Sequence, residues 1–272
     1  MEKEKDLLDS LIEDRKELVS IYKYLSETKY SKYILDNDND AGLKYKLYDK
    51  KAERLAACEK YKTCKLTLCP VCSYFKKQKI SKNLKKTIDT IKNQQEENRD
   101  FKFITLTVEN CNANELSDTL NDIMAAWNRF LGYKDIKENI YGWYRWLEIT
   151  YKEDKSFSVR SGIPRRNRYP QISYHPHLHI IAYTDNEFVD ESTLKSLWKN
   201  AMKTNKVTVN IKPITDINGI CDYITKNKYA NYQQNLGLNY QQKYHQTIQI
   251  VATLDGVLEH RRIYTAGGMF KN

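Results

Sequence analysis

In FKFITLTVEN, residues 101–110, Ile104, Leu106 and Val108 fall on one side and Thr105 and Thr107 on the other. That period of two predicts a half-buried strand. The next stretch, ELSDTLNDIMAAWNRFL, changes period: Leu116, Leu120, Ile123, Met124, Trp127 and Leu131 recur at helical spacing. A helix is expected there, with Asn114 as its N-cap. YGWYRWLEITYK reads as a second strand and YHPHLHIIAY, residues 174–183, as a third. DESTLKSLWKNAMK predicts a second amphipathic helix, capped by Asp190, with Leu194, Leu197, Trp198, Ala201 and Met202 facing inward. KVTVNIKP adds a strand and INGICDYITKNKYA a helix. The order strand, helix, strand, strand, helix, strand, helix predicts an α+β fold, an antiparallel sheet with helices on one face, of ferredoxin-like (RRM-like) type.

Before this region the pattern is helical. LLDSLIEDRKELVSIYKYL places Leu7, Leu8, Leu11, Leu18, Ile21 and Leu25 at spacings that form one stripe. The acidic LDNDNDAG after it reads as a loop. We therefore expect N-terminal helices over residues 1–50, a cysteine-rich module with a basic helix over 51–98, and the α+β domain over 99–272.

Composition narrows the class. The chain has 272 residues, 29% of them charged and 40% hydrophobic, which is globular rather than disordered usage. No apolar run approaches a membrane span, and mean hydropathy is -0.74. The opening MEKEKDLLDS lacks a signal-peptide core, so an intracellular, cytoplasmic protein without a membrane partner is expected. The formal net charge is +10, which suits a polyanionic partner. The excess is concentrated. Seven lysines, among them Lys76 and Lys77, face one acid, Asp89, between Ser73 and Asn93. VRSGIPRRNRYP sets Arg160, Arg165, Arg166 and Arg168 beside Tyr169, a pairing suited to phosphate contact and base stacking.

Cys58, Cys64, Cys69 and Cys72 lie within fifteen residues and end in CPVC, while Cys111 and Cys221 stand apart. In an intracellular chain clustered thiols bind metal more often than they form disulfides. Two cysteines joined to a CxxC knuckle can close a tetrahedral, structural Zn²⁺ site. The alternative is reduced thiols without a metal.

Three of the five histidines, His175, His177 and His179, occupy alternate positions of the third strand. On a strand these share a face, with Leu178, Ile180 and Ala182 on the other. Aligned imidazoles have no packing rationale, but they can hold a divalent ion. In WYRWLEITY, Glu148 alternates with Leu147 and Ile149. If the two strands pair as a hairpin, its carboxylate joins the histidines as a third ligand and leaves metal positions for substrate oxygens.

HPHLH resembles the histidine–hydrophobic–histidine motif of HUH endonucleases, specifically the rolling-circle replication initiators (Rep proteins) of small plasmids. FITLTVEN resembles their first motif, CPVC with the basic residues after it their cysteine-rich region, and RRIYTAGGMFK their C-terminal segment. The resemblance runs from about residue 50 to 272. It implies an HUH nuclease domain in which His177 and His179 hold Mg²⁺ or Mn²⁺, with His175 matching the first motif histidine. CDYITK resembles the third motif, which makes Tyr223 the nucleophile and Lys226 its neighbour. The implied reaction is nicking and joining of single-stranded or hairpin origin DNA through a 5′-phosphotyrosyl link, with host helicase and polymerase as partners.

Elementary chemistry is consistent with that placement. A phenol, with an unperturbed pKa near ~10, needs its charge stabilised to act as a nucleophile at neutral pH. A lysine three residues on is a helical neighbour. The resemblance also calls for a Glu one turn before the tyrosine, where this chain has Gly219, with Asp216 and Asp222 out of register. Other readings of the same residues are an HUH relaxase or transposase, a non-catalytic zinc-containing nucleic-acid-binding protein, and a metal hydrolase acting on small molecules.

Overall fold

The structure, a computed structural model, describes residues 2–27, 41–58, 64–94, 98–153, 172–225 and 240–271. Its helices are α1 (Glu2–Glu27), α2 (Ala41–Ala56), α3 (Pro70–Asn93), α4 (Ala113–Gly132), α5 (Lys134–Asn139), α6 (Glu191–Met202), α7 (Ile217–Thr225) and α8 (Tyr240–Leu258). Its strands are β1 (Arg99–Val108), β2 (Ile140–Glu153), β3 (Ile172–Asp185), β4 (Val207–Pro213) and β5 (Tyr264–Gly268). Among the described residues no helix is long and apolar enough to cross a membrane. Internal contacts divide the chain into two units, one comprising residues 1–80, 166–170 and 224–259, the other 81–165, 171–223 and 260–272.

The second unit holds the sheet. Its strands are ordered β4-β1-β3-β2-β5, and every pairing is antiparallel. The α+β architecture is the one the hydrophobic pattern predicts. β2 and β3 pair over most of their length, with Leu147 opposite Leu178 and Glu148 opposite His177. The expected hairpin therefore exists, and its register decides which side chains share a face.

One face is apolar. Ile104, Leu106, Leu147, Ile149, Leu178, Ile180 and Val209 are buried on it, and α4 and α6 supply the facing side chains. α4 buries Leu116, Leu120, Ile123, Ala126, Trp127 and Phe130, and α6 buries Leu194, Trp198 and Ala201. The Trp198 indole donates to the Thr107 carbonyl at 3.1 Å, so the largest buried ring is also satisfied. Arg129 donates to the Ala201 carbonyl at 2.8 Å, joining α4 to the negative end of α6. Each such buried aromatic or aliphatic side chain contributes about 1.5–3 kcal/mol.

Local sequence accounts for the helix starts. Asn112, not Asn114, caps α4: its side chain accepts from the N–H groups of Asn114 and Glu115, and the Glu115 carboxylate answers the Asn112 N–H. That reciprocal pair is a capping box, which moves the start two residues upstream of the expected cap. Asp190 caps α6 as predicted. β5 is a short strand with no clear alternation, and its glycines explain why. A side chain at Gly267 would run into the Trp143 indole, and Gly268 has φ +55 against the Tyr141 carbonyl.

The first unit is helical. Leu11, Leu18, Ile21 and Leu25 of α1 are buried as expected, whereas Leu7 is exposed. Tyr22 stacks on Tyr48 of α2 at 5.7 Å. Asp255 of α8 receives the Tyr22 hydroxyl at 2.7 Å and the Lys51 ammonium at 2.6 Å, all three groups being buried.

Candidate active site on the histidine face

The second face of the sheet is polar and aromatic. Directly opposed residues on neighbouring strands share a face, so the register arranges them in rows. Thr208, Thr107, His177 and Glu148 make one row across β4, β1, β3 and β2. Asn210, Thr105, His179 and Trp146 make the next, which continues to Tyr264 of β5. Glu148 thus joins the histidines, as the hairpin requires.

His179 is fixed at both nitrogens. Its Nε2 lies 2.6 Å from Glu148 Oε2 and its Nδ1 3.1 Å from the Thr105 hydroxyl. An ionised carboxylate only accepts, so Nε2 donates to Glu148 and Nδ1 accepts from Thr105. The ring lies between Phe103, stacked at 5.6 Å, and Trp146 at 5.1 Å. His179 and Glu148 are each only 5% exposed, among aromatic rings rather than aliphatic ones.

His177 is half-buried, and its Nε2 meets the Thr150 hydroxyl at 3.1 Å. His175 lies with its ring centroid 4.3 Å from that of His177. Burial holds the His175 imidazole below its ordinary value, opposed by a Val108 backbone hydrogen bond, with the charge on Lys152 lowering it further. The donor types suit a hard divalent cation: a carboxylate and two imidazoles on one face. They are not drawn together as a set, however. Among the described residues only the four cysteines have all their donor atoms within 4.8 Å of one another. Here the His179 nitrogen and the Glu148 oxygen satisfy each other, as ligands do when no cation separates them.

Tyr223 sits on this same face. α7 carries it to a ring separation of 5.9 Å from His179, edge to face, and 6.1 Å from Phe103. The start of α7 explains the orientation. Asp216 accepts from the Gly219 N–H at 3.0 Å, so its carboxylate is occupied as the helix cap. A Cβ at Gly219 would collide with that carboxylate. Cys221, on the same helix, is fully buried. Lys226 lies outside the described residues, as do Arg160, Arg165, Arg166 and Arg168.

The chain pattern did not single out Tyr264. It stands opposite Trp146, half-buried, and burial together with the Glu148 carboxylate pushes its phenol up to about 12. Alternation in the short run from residue 261 is the only sequence feature that could have indicated it.

The cysteine cluster belongs to the helical unit. Cys58 Sγ is 3.9 Å from Cys69 Sγ and 3.5 Å from Cys72 Sγ, and Cys64 Sγ is 3.5 Å from Cys72 Sγ. A tetrahedron with Zn–S near 2.3 Å has edges of about 3.8 Å, so the four sulfurs can hold a metal such as zinc. Hydrogen bonds from Cys64 and then Cys69 draw the Cys72 thiol down to about 2. α3 leaves this cluster with Lys76, Lys79, Lys82 and Lys86 exposed along one side. Lys77 is different: it is 4% exposed, on the stripe that continues through Leu84, Ile88 and Ile91. Its position on the helix turns its stem inward, unlike the four exposed lysines.

The chain is also similar in sequence to known proteins. The family model described as replication protein matches residues 55–272. A protein rep from a Bacillus species is 28% identical over 196 residues, covering 62% of this chain and 55% of the relative. One from Bacillus amyloliquefaciens is also 28% identical over 196 residues, covering 62% of the chain and 50% of the relative. One from Streptococcus pneumoniae serotype 2 is 25% identical over 219 residues, covering 76% of the chain and 61% of the relative. The chain thus spans little more than half the length of these curated relatives. No solved structure gives a significant match.

Proposed function

This chain belongs to the replication protein family, and we propose that it initiates rolling-circle replication by nicking and rejoining origin DNA through Tyr223. The observation that carries the reading is the 5.9 Å approach of the Tyr223 ring to His179, which is itself bonded to Glu148. The nucleophile candidate and the metal-ligand candidates meet on one face although they come from separate elements.

In this mechanism His177, His179 and Glu148, with His175 beside them, would hold Mg²⁺ or Mn²⁺. That ion, when bound, polarises the scissile phosphate and orients it for in-line attack. Glu148 and Thr105, at the two nitrogens of His179, would fix which of them carries the proton. Tyr223 attacks as its phenolate. A bond forms from its oxygen to phosphorus, the bond to O3′ breaks, and the departing 3′-oxygen takes a proton from solvent. The product is a 5′-phosphotyrosyl link and a 3′-hydroxyl that can prime synthesis, and attack by a 3′-hydroxyl reverses it. Phe103, Trp146 and His179 wall the reacting face and limit water around it. In this reading Lys226 serves as a charge neighbour of Tyr223, three residues on in the sequence, and the arginine-rich segment around Arg165 and the exposed lysines of α3, Lys76 among them, serve as phosphate contacts. The four cysteines hold structural Zn²⁺.

The test uses the full chain, Mn²⁺ and a pool of random single-stranded 40-mers. A denaturation-resistant adduct should form, and peptide mapping should place the nucleotide on Tyr223. Tyr223→Phe should abolish the adduct and keep DNA binding, while His177→Ala should lose cleavage and keep zinc. An adduct on another residue removes Tyr223 from the role. Binding with no adduct at all turns the reading into that of a non-catalytic nucleic-acid-binding protein.

A further inference from the structure

The row containing His177 and Glu148 does not stop at β2. The Leu147 N–H donates to the Ile263 carbonyl at 2.9 Å, so β2 and the chain before β5 remain paired one step beyond Tyr264. Continuing that register sets residue 262 opposite Glu148. Alternation then decides the faces. Tyr264 lies opposite Trp146, on the histidine face. Ile263 is buried, next to Leu147. Arg261 reaches the Ser117 carbonyl and hydroxyl of α4, at 3.1 and 3.2 Å, and so belongs to the helix-covered face. Arg262, between two residues committed to the apolar side, falls on the histidine face. Its side chain is exposed, and among the described residues no hydrogen bond or ion pair engages it.

We propose that Arg262 grips the phosphate under attack, beside the Glu148–His177 row, as a catalytic residue. This rests on the nicking function argued above. A guanidinium presents planar paired donors that fit two non-bridging phosphate oxygens. Arg262 stands at the β5 side of the row, so a strand lying across the sheet meets Glu148 and Arg262 together. The neighbouring Arg261 cannot serve, because α4 holds it on the opposite face. As charge builds on the phosphorane oxygens during attack, a guanidinium in place beforehand stabilises it without reorganisation.

Two measurements decide the matter. The first is binding of fluorescein-labelled dT20 to Tyr223→Phe protein without metal, followed by anisotropy over a range of salt. Adding Arg262→Gln should reduce the slope of log K against log salt by about 0.7, the value for one phosphate contact on a single strand. Arg261→Gln should leave the slope unchanged. The second is single-turnover adduct formation on an oligonucleotide recovered from the 40-mer pool. Arg262→Gln should slow it about a hundredfold, as expected for loss of one oxyanion donor, and Arg262→Lys should recover part of the rate. An unchanged slope overturns the contact, and a reduced slope with an unchanged rate overturns the assignment to the reacting phosphate. Failure of the parent protein to form any adduct is a different result: it removes the nicking function, and the dT20 slope still reports whether Arg262 binds phosphate.

Discussion

Nε2 of His179 and Oε2 of Glu148 lie 2.6 Å apart on adjacent strands, in a pocket that leaves each residue only 5% exposed. Placing two polar groups so deeply carries a desolvation cost that packing alone does not require. The proposed cation site would account for them. Glu148→Gln keeps the volume and removes the charge. We expect Mn²⁺ affinity to fall by at least about tenfold, a lower bound taken from losses at outer-shell partners. Isothermal titration of the parent and variant checks this, and equal affinities would take Glu148 out of the ligand set.

Thr105 touches His179 at the nitrogen away from Glu148. Removing its hydroxyl with Thr105→Val leaves every proposed ligand in place. The affinity for Mn²⁺ should nevertheless drop by about 10–100-fold, because the second ring nitrogen loses the partner that fixes the tautomer. Counting free Mn²⁺ by its paramagnetic resonance signal gives the answer directly. Retention of full affinity would mean Thr105 only packs.

The cysteine cluster should hold one zinc per chain. Cys72→Ser removes the sulfur that lies 3.5 Å from both Cys58 and Cys64. Metal content measured by mass spectrometry should go to zero, and thermal stability should fall, since binding of a structural zinc is also folding free energy. Protein purified with zinc still bound after all four cysteines are replaced would contradict the assignment.

In the helical unit, Lys51 and Asp255 form a 2.6 Å ion pair with side chains only 4% and 9% exposed. Asp255→Ala leaves the buried ammonium with Glu259 alone, at 3.2 Å, and takes the acceptor from the Tyr22 hydroxyl; the expected cost is about 3 kcal/mol. Replacing Lys51→Met with Asp255→Leu should cost much less, since both buried charges are then gone and the Glu259 carboxylate, 37% exposed, is left to solvent. Urea unfolding of the three proteins separates the cases. A double variant as unstable as Asp255→Ala would show that shape, not charge, dominates.

Asp190 carries a pH dependence. The Thr193 N–H first, and the Ser192 hydroxyl second, hold its carboxyl below the ordinary value of 3.8. A lowered folded value means the unfolded chain binds the proton more readily. The contribution is therefore complete above 3.8 and is lost as pH falls through the lowered value. Asp190→Asn keeps a capping oxygen but not the titration, so its melting temperature should decline less than the parent's between neutral pH and pH of about 3. Parallel declines would assign the acid sensitivity elsewhere.

What could be read from the chain is what the backbone imposes over a few residues. Alternation alone put His175, His177 and His179 on one face and Leu178 and Ile180 on the other. Helical spacing alone located α4 and α6 and most of the residues they bury, though Met124, Leu131, Leu197 and Met202, expected inward, are only half-buried and Ala126 and Phe130 were not expected. The capping box at Asn112 was equally local, but two asparagines, Asn112 and Asn114, competed for the cap, and the reciprocal bond with Glu115 decided it. The burial of Lys77 was not legible because a run of lysines hides its phase: only the buried stripe through Leu84, Ile88 and Ile91 shows that it faces inward.

The rest depended on residues far apart along the chain. Glu148 reaches His179 through the β2–β3 register, and Tyr223 reaches them because α7 packs on that side of the sheet. Tyr264 stands opposite Trp146 because β5 pairs with β2 from more than a hundred residues away. Periodicity is set by dihedral angles within one element, so the sequence by itself determined which side chains stand together on a strand or helix. Which elements then meet follows from burial of whole faces and from strand register, which no short stretch contains, and those alone brought a phenol, two imidazoles and a carboxylate to one surface.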